Sequence, residues 1–364
     1  QIGAGITEQL NSKFPTQSQM LSLDSDLIET ICMAHDIGHP PFGHGGEIAL
    51  NYVLKDNGGF EGNGQTFRIV SALEPYTKAN GMNLSRRTLL GLVKYPNYLD
   101  NLNAPYPDCQ ASSIREIIAR DYIPPKGLYQ CDANVFEWLL SGIDQDDAQT
   151  FMAVLEIPNA HSKTLYKSFD CSVMELADDI AYGIHDLEDA IVLQKVHIAQ
   201  FMDEVVTPIQ RNNTRLSERI NTLAKELFSE ESYRRKNAIG AIVNNFITAI
   251  EITRQERFKT PLLDFQAVLP DADKQDLLGF KGFVWKHVIQ TTDVQIAEYR
   301  GQQIVIELFQ AFQSDPERLL PTNTYRRWLK NREIGLEKRA IVDYLAGMTD
   351  EYAFKMHQNL FGTK

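Results

Sequence analysis

AHDIGHPPFGHGGE, residues 34–47, concentrates chemistry as no other part of this sequence does. It holds three of the chain's eight histidines, His35, His39 and His44, together with Asp36 and Glu47. Gly38, Pro40, Pro41 and Gly43 divide them, so the stretch cannot be one regular helix. Imidazole and carboxylate side by side are the donor set of a divalent metal and equally the equipment of proton transfer. The pattern points to a site rather than to a scaffold.

Upstream, Asp24, Ser25 and Asp26 are N-cap candidates for a helix over 24–36, in which Leu27, Ile28, Ile31 and Ala34 fall at helical spacing. His35 shares that inward face. An isolated histidine there is most often a hydrogen-bonded core residue, but Asp36 alters the balance: a buried aspartate beside a buried histidine requires a charge partner. Downstream, Gly38, Pro40 and Pro41 stop the helix and a new one is expected from Gly43. His44 and Glu47, three residues apart, then share one side of its first turn. Residues 56–65 read as a glycine and asparagine loop, helix resumes over 66–73, and a short helix covers 86–95. Lys94 near its end is, by itself, an ordinary favourable charge at a helix C-terminus. Pro105, Pro107, Pro124 and Pro125 punctuate the next region, which carries a helical candidate at 112–119.

Residues 171–199 form the second informative stretch. Val173, Ala177, Ile180, Ile184, Leu187 and Ile191 make a buried stripe, and Asp178, Tyr182 and Asp186 stand at four-residue steps on the opposite side. Such a column usually belongs to a solvated face. A tyrosine at its centre, and an excess of acid with no i+4 base before Lys195, favour instead a cation or a hydrogen-bonding ligand. Arg234, Arg235 and Lys236 open an amphipathic helix; a charge run of that kind is most often solvated, with an anion site the rarer alternative. Residues 283–313 and 336–361 again read as helix, and no convincing run of alternating strands or internal repeat occurs. The expected architecture is all-α.

Composition bounds the function. With 364 residues and 43% hydrophobic content the chain can bury a sizeable core. The expected organisation is a core over 1–200 and a helical region over 201–364 packed on it as one continuous domain. A formal charge of −12 removes any global electrostatic case for a nucleic-acid or membrane-surface protein. Cys32, Cys109, Cys131 and Cys171 include no CxxC pair, which argues against a disulfide framework or a thiolate zinc site and fits a reducing cytoplasm. No apolar run approaches the roughly 18 residues of a membrane span. Gln1 is not a methionine and Ile2 to Leu10 reads as the middle of a helix, so further chain is expected upstream.

The His35–Asp36 pair, the histidines after it and the distant aspartate resemble the HD superfamily of metal-dependent phosphohydrolases. The fuller set, HDIGHPPFGHGGE at 35–47, GFEGNGQTFRI at 59–69, LVKYP at 92–96, ELADDIAYGIHDLEDA at 175–190 and DYLAGMTD at 343–350, looks like the deoxynucleoside triphosphate triphosphohydrolases, the dGTPase and dGTPase-like proteins. Five ordered motifs span nearly the whole chain. The resemblance implies an HD-domain helical bundle with additional C-terminal helices, and hydrolysis of a dNTP to deoxynucleoside and inorganic triphosphate.

It also implies roles. His35, Asp36 and Asp178 would ligate a divalent ion (manganese, magnesium, iron, cobalt or nickel), with one further histidine just upstream of residue 1. His44 and Glu47 would be the catalytic dyad. His39, Lys94 and Lys126 would face phosphate, and Tyr182 and Asp186 the deoxyribose. A homo-oligomer, hexameric in relatives, and a nucleotide effector are implied too, with residues 234–236 a candidate interface or effector site. An HD-type nucleotidase or phosphodiesterase, and a catalytically impaired nucleotide-binding sensor or structural subunit, are the rival readings.

Overall fold

The structure is a computed structural model describing residues 1–106 and 114–362. Pro107, Cys109 and the first two residues of the helix expected over 112–119 lie outside the described residues. Helices dominate, as an all-α fold requires. Among the described residues, strand is confined to two antiparallel ribbons, Val154–Leu155 with Lys163–Thr164 and Glu251–Arg254 with Phe265–Val268. Neither ribbon was expected: the two- and four-residue strands are too short to display a period. The described residues divide into two compact units, 1–33 with 168–295, and 34–106 and 114–167 with 296–362.

The first unit is built around the 24-residue helix Phe169–Val192. The Ser168 hydroxyl accepts the Cys171 N–H at 3.2 Å and starts it, satisfying one of the amides that a helix N-terminus leaves open. Its stripe of Val173, Ala177, Ile180, Ile184 and Leu187 is buried. Against it pack the helices Ile2–Lys13, Ser232–Ala249 and Asp271–Val284 and the strand Phe265–Val268. Phe201, Phe246, Phe280 and Phe283 interlock nearby, with ring centroids 5.4–6.0 Å apart. Each such fully buried side chain contributes roughly 1.5–3 kcal/mol. The helix ends at Val192, where Leu193 and Gln194 turn.

The second unit has its core where the helix Gly43–Leu54, through Ala49, Leu50 and Leu54, meets Val305, Leu308, Phe309 and Phe312 together with Ile341, Val342 and Leu345. These last positions come from the helices Thr292–Ser314 and Glu337–Ala346. Gly301 is required here, because a Cβ would fall 2.4 Å from that of Phe42.

Candidate active site

The helix Ser25–Ala34 starts as expected, with the Leu27 N–H donating to Asp24 Oδ1 at 2.8 Å, and it buries Ile28 and Ile31. It stops two residues short of expectation, and residues 35–38 form a turn. Thr66 clamps that turn: its hydroxyl donates to the His35 carbonyl at 3.0 Å and accepts the Gly38 N–H at 3.0 Å. No side chain fits at Gly38, where a Cβ would lie 2.1 Å from the Thr66 nitrogen. His35 and Asp36 therefore leave the helix on a fixed turn. His35 Nε2 is 3.3 Å from Asp36 Oδ2, and His39 Nδ1 is 3.3 Å from Asp36 Oδ1.

Asp36 was expected to be buried, yet its side chain is 50% exposed. A carboxylate at the rim of a turn is solvated on one side, which leaves it accessible to a ligand. Partial burial alone would raise its pKa, but the two imidazoles outweigh that and hold it well below the usual carboxylate range. The same contact, opposed by burial and aided by Glu47 and Glu61, raises His39 above the ordinary histidine value.

Pro40 and Pro41 lead into Phe42, a non-glycine residue at φ 65° that precedes the helix Gly43–Leu54. Gly46 permits this entry, since a Cβ would lie 1.9 Å from the Pro41 carbonyl oxygen. One turn in, His44 Nδ1 meets Glu47 Oε2 at 3.2 Å. His44 is 66% exposed and Glu47 only 4%, so one end of the pair faces solvent and the other is anchored. Glu47 Oε1 accepts the Gly62 N–H at 2.9 Å and the Lys126 ammonium at 3.0 Å. Burial would raise Glu47; the His44 hydrogen bond, Lys126 and the Gly62 amide together lower it to about 2. A carboxylate on Nδ1 selects the tautomer with its proton there and leaves Nε2 as the basic nitrogen. The His39 ring stands 6.2 Å from His44, edge to face.

The loop expected over 56–65 is shorter than that reading. A helix runs Gly62–Arg68, with the buried Glu61 side chain capping it through the Gly64 N–H at 2.8 Å. Gly62 and Gly64 hid it, because glycine is a weak helix former whose presence reads as loop. Arg68 at its end is buried and paired bidentately with Asp343, at 2.9 Å from Nε and 2.9 Å from Nη2, and with Asp132 at 2.6 Å. Asp350 Oδ1 accepts the Phe42 N–H at 2.9 Å. Thr66, Glu61, Arg68, Asp343 and Asp350 thus position the site, although motif reading attached no role to them. Their signal lay in the quoted segments 59–69 and 343–350.

Lys94 follows the helix Arg86–Leu92, whose start is capped by Ser85 accepting the Thr88 N–H at 3.1 Å, and it is half-buried. Lys126 is held between Glu47 and Glu61, 3.0 Å and 3.2 Å from one oxygen of each. In the other unit, Asp178, Tyr182 and Asp186 line one side of the helix Phe169–Val192, and all three are half-buried rather than fully solvated. Burial, with neighbouring acids adding, pushes the pKa of Tyr182 and of Asp186 up. Asp179 is ion-paired with Lys281. Arg234 and Arg235 are ion-paired with Glu231 and Glu188.

A profile described as an HD domain matches residues 1–118, and one described as a phosphohydrolase-associated domain matches residues 267–359. Among curated proteins, the chain is 49% identical to a deoxyguanosinetriphosphate triphosphohydrolase-like protein of Shewanella pealeana, over 100% of this chain and 82% of that protein. It is 48% identical to the like-named protein of Shewanella sediminis, with the same shares covered. The protein of that name from Vibrio vulnificus is 46% identical, over 100% of this chain and 83% of its own length.

Proposed function

Because this chain belongs to the HD-domain family of deoxyguanosinetriphosphate triphosphohydrolase-like proteins and so is a phosphohydrolase, we propose that it cleaves deoxynucleoside triphosphates at the α-phosphorus, releasing deoxynucleoside and inorganic triphosphate. The observation that carries this reading is the His44–Glu47 pair, an imidazole in solvent backed by a buried carboxylate that stays ionised.

In this account Glu47 orients His44, and Nε2 handles the proton of the attacking water or of the leaving 5′-oxygen. His39, its basicity raised by Asp36, binds a phosphate oxygen. Lys94 stabilises charge on the departing triphosphate. Tyr182 and Asp186 hold the 3′-hydroxyl of the sugar. A 2′-hydroxyl packed against their helix and left unsatisfied would cost about 1–3 kcal/mol, which favours deoxyribose.

The donors suit a divalent ion. His35 and Asp36 bring an imidazole and an ionised carboxylate from one clamped turn, and Asp178 is the proposed further ligand; hard and borderline first-row ions accept such a set. When bound, that ion supplies Lewis acidity at the phosphate and acidity to a coordinated water. We place the protein in the cytoplasm as a homo-oligomer with a nucleotide effector, Arg234 to Lys236 being the proposed contact region. None of the helices in the described residues is long and apolar enough to cross a membrane.

The test is incubation of the metal-loaded protein with each dNTP, followed by chromatography. Inorganic triphosphate and deoxynucleoside are expected; orthophosphate or a mononucleotide would instead select the nucleotidase reading, and binding without turnover the sensor reading.

A further inference from the structure

The family resemblance assigns Lys126 to the polyphosphate, yet its ammonium lies between two carboxylates, 3.0 Å from Glu47 Oε1 and 3.2 Å from Glu61 Oε1. Glu61 is fully buried and held from every side. Its Oε1 also accepts Asn63 Nδ2 at 2.6 Å, and its Oε2 accepts the Gly64 N–H at 2.8 Å. The Tyr129 hydroxyl fixes its backbone, donating to the Glu61 carbonyl at 2.9 Å and accepting the Glu61 N–H at 3.2 Å. The next amide, Gly62 N–H, binds Glu47 Oε1 directly.

We propose that Glu61 is a positioning residue for the reaction: by sharing the Lys126 ammonium it ties that cation to Glu47 Oε1 alone and leaves Oε2 to His44. The inference rests on the role proposed above for the His44–Glu47 pair. A lysine ammonium is a compact charge on a flexible stem, and with one carboxylate to serve it can straddle both oxygens. With Glu61 fixed on its far side, Lys126 is anchored toward Oε1, and the Gly62 amide holds the same oxygen. Oε2 then has one assigned partner, His44 Nδ1, at 3.2 Å. Removing the Glu61 charge frees Lys126 to compete for Oε2. Removing Lys126 leaves two buried carboxylates repelling each other across the gap and turns Glu47 away from its anchored orientation.

Two variants test this, read in two ways. Glu61→Gln removes the charge and keeps the shape, while Lys126→Met removes the ammonium and leaves the cap of the Gly62–Arg68 helix untouched. The first readout is independent of turnover: nitrogen NMR of histidine-labelled protein. Wild-type His44 is expected in the Nδ1–H tautomer, and both variants are expected to shift it toward a mixture. An unchanged tautomer in both overturns the inference, whatever the enzyme hydrolyses. The second readout is kinetic. Each variant is expected to lower kcat by roughly 10- to 100-fold with KM within about threefold, and to add less than about threefold when combined with Glu47→Gln. A rise in KM alone would return Lys126 to the polyphosphate and overturn the assignment. So would losses that multiply fully with Glu47→Gln. If wild type itself releases no triphosphate, the functional reading fails, and the tautomer result still decides this one.

Discussion

The Phe42 amide donates a 2.9 Å hydrogen bond to Asp350 Oδ1, 308 positions later in the chain. Phe42 is the left-handed residue from which the His44 helix departs, so a carboxylate in the C-terminal motif fixes the entry angle of the proposed catalytic helix. Asp350→Ala is expected to cost about 1 kcal/mol of stability in urea unfolding. It should also lower kcat by roughly three- to tenfold with KM unchanged, because small misplacements of a catalytic group are costly. Asp350→Asn, which keeps an acceptor, should recover most of both. Equal losses in the two variants would assign the effect to charge rather than to this bond.

Asp343, from the same motif, closes the buried Arg68 pair. Deleting one partner of such a pair strands the other charge in the interior. Asp343→Ala is therefore expected to destabilise the fold by about 3–5 kcal/mol in chemical denaturation. A loss below about 1 kcal/mol would mean that Asp132 alone satisfies Arg68.

Glu47 gives a pH signature. Its folded-state pKa lies below the unfolded value of 4.5, at about 2. A depressed carboxylate contributes stability that is fully present above the unfolded pKa and is lost as pH falls through the folded one. By about 1.4 kcal/mol per unit, the full contribution is about 3 kcal/mol. The stability advantage of wild type over Glu47→Gln is expected to be flat above about pH 5.5 and to shrink progressively as pH falls from there toward the folded-state value of about 2. An advantage independent of pH would show that Glu47 is not held ionised by these partners.

Metal content separates the two halves of the 34–47 stretch. Asp36→Ala is expected to lose bound divalent ion on elemental analysis, and Glu47→Ala to retain it while turnover falls by roughly 10²- to 10⁴-fold. Full metal content in Asp36→Ala would remove that residue from the ligand set.

Much of the local structure was legible from the sequence, because local signals have short range. Asp24 starts a helix, Pro40 and Pro41 stand in the break before the next one at Gly43, and the three-residue spacing of His44 and Glu47 brings the pair into contact. The four-residue steps of Asp178, Tyr182 and Asp186 likewise fall on one helix. Illegible were the contacts that hold these pieces in place. Arg68 meets Asp343 across 275 positions, and no periodicity encodes such a partner. Glu61 sits among glycines and asparagines whose composition reads as loop, so its capping and its grip on Lys126 were masked. Helical spacing carried past Ala34 would bury Asp36, but the chain turns at residues 35–38 and leaves its side chain half exposed.

The central claim is water attack at the α-phosphorus with His44 and Glu47 moving the proton. Its most direct measurement is hydrolysis of dGTP in water enriched in heavy oxygen, with the products read by phosphorus NMR and mass spectrometry. The account requires one heavy oxygen in the released triphosphate and none in the deoxynucleoside, at a rate that collapses in Glu47→Gln. Label in orthophosphate or in a mononucleotide, or a wild-type rate in that variant, would contradict it.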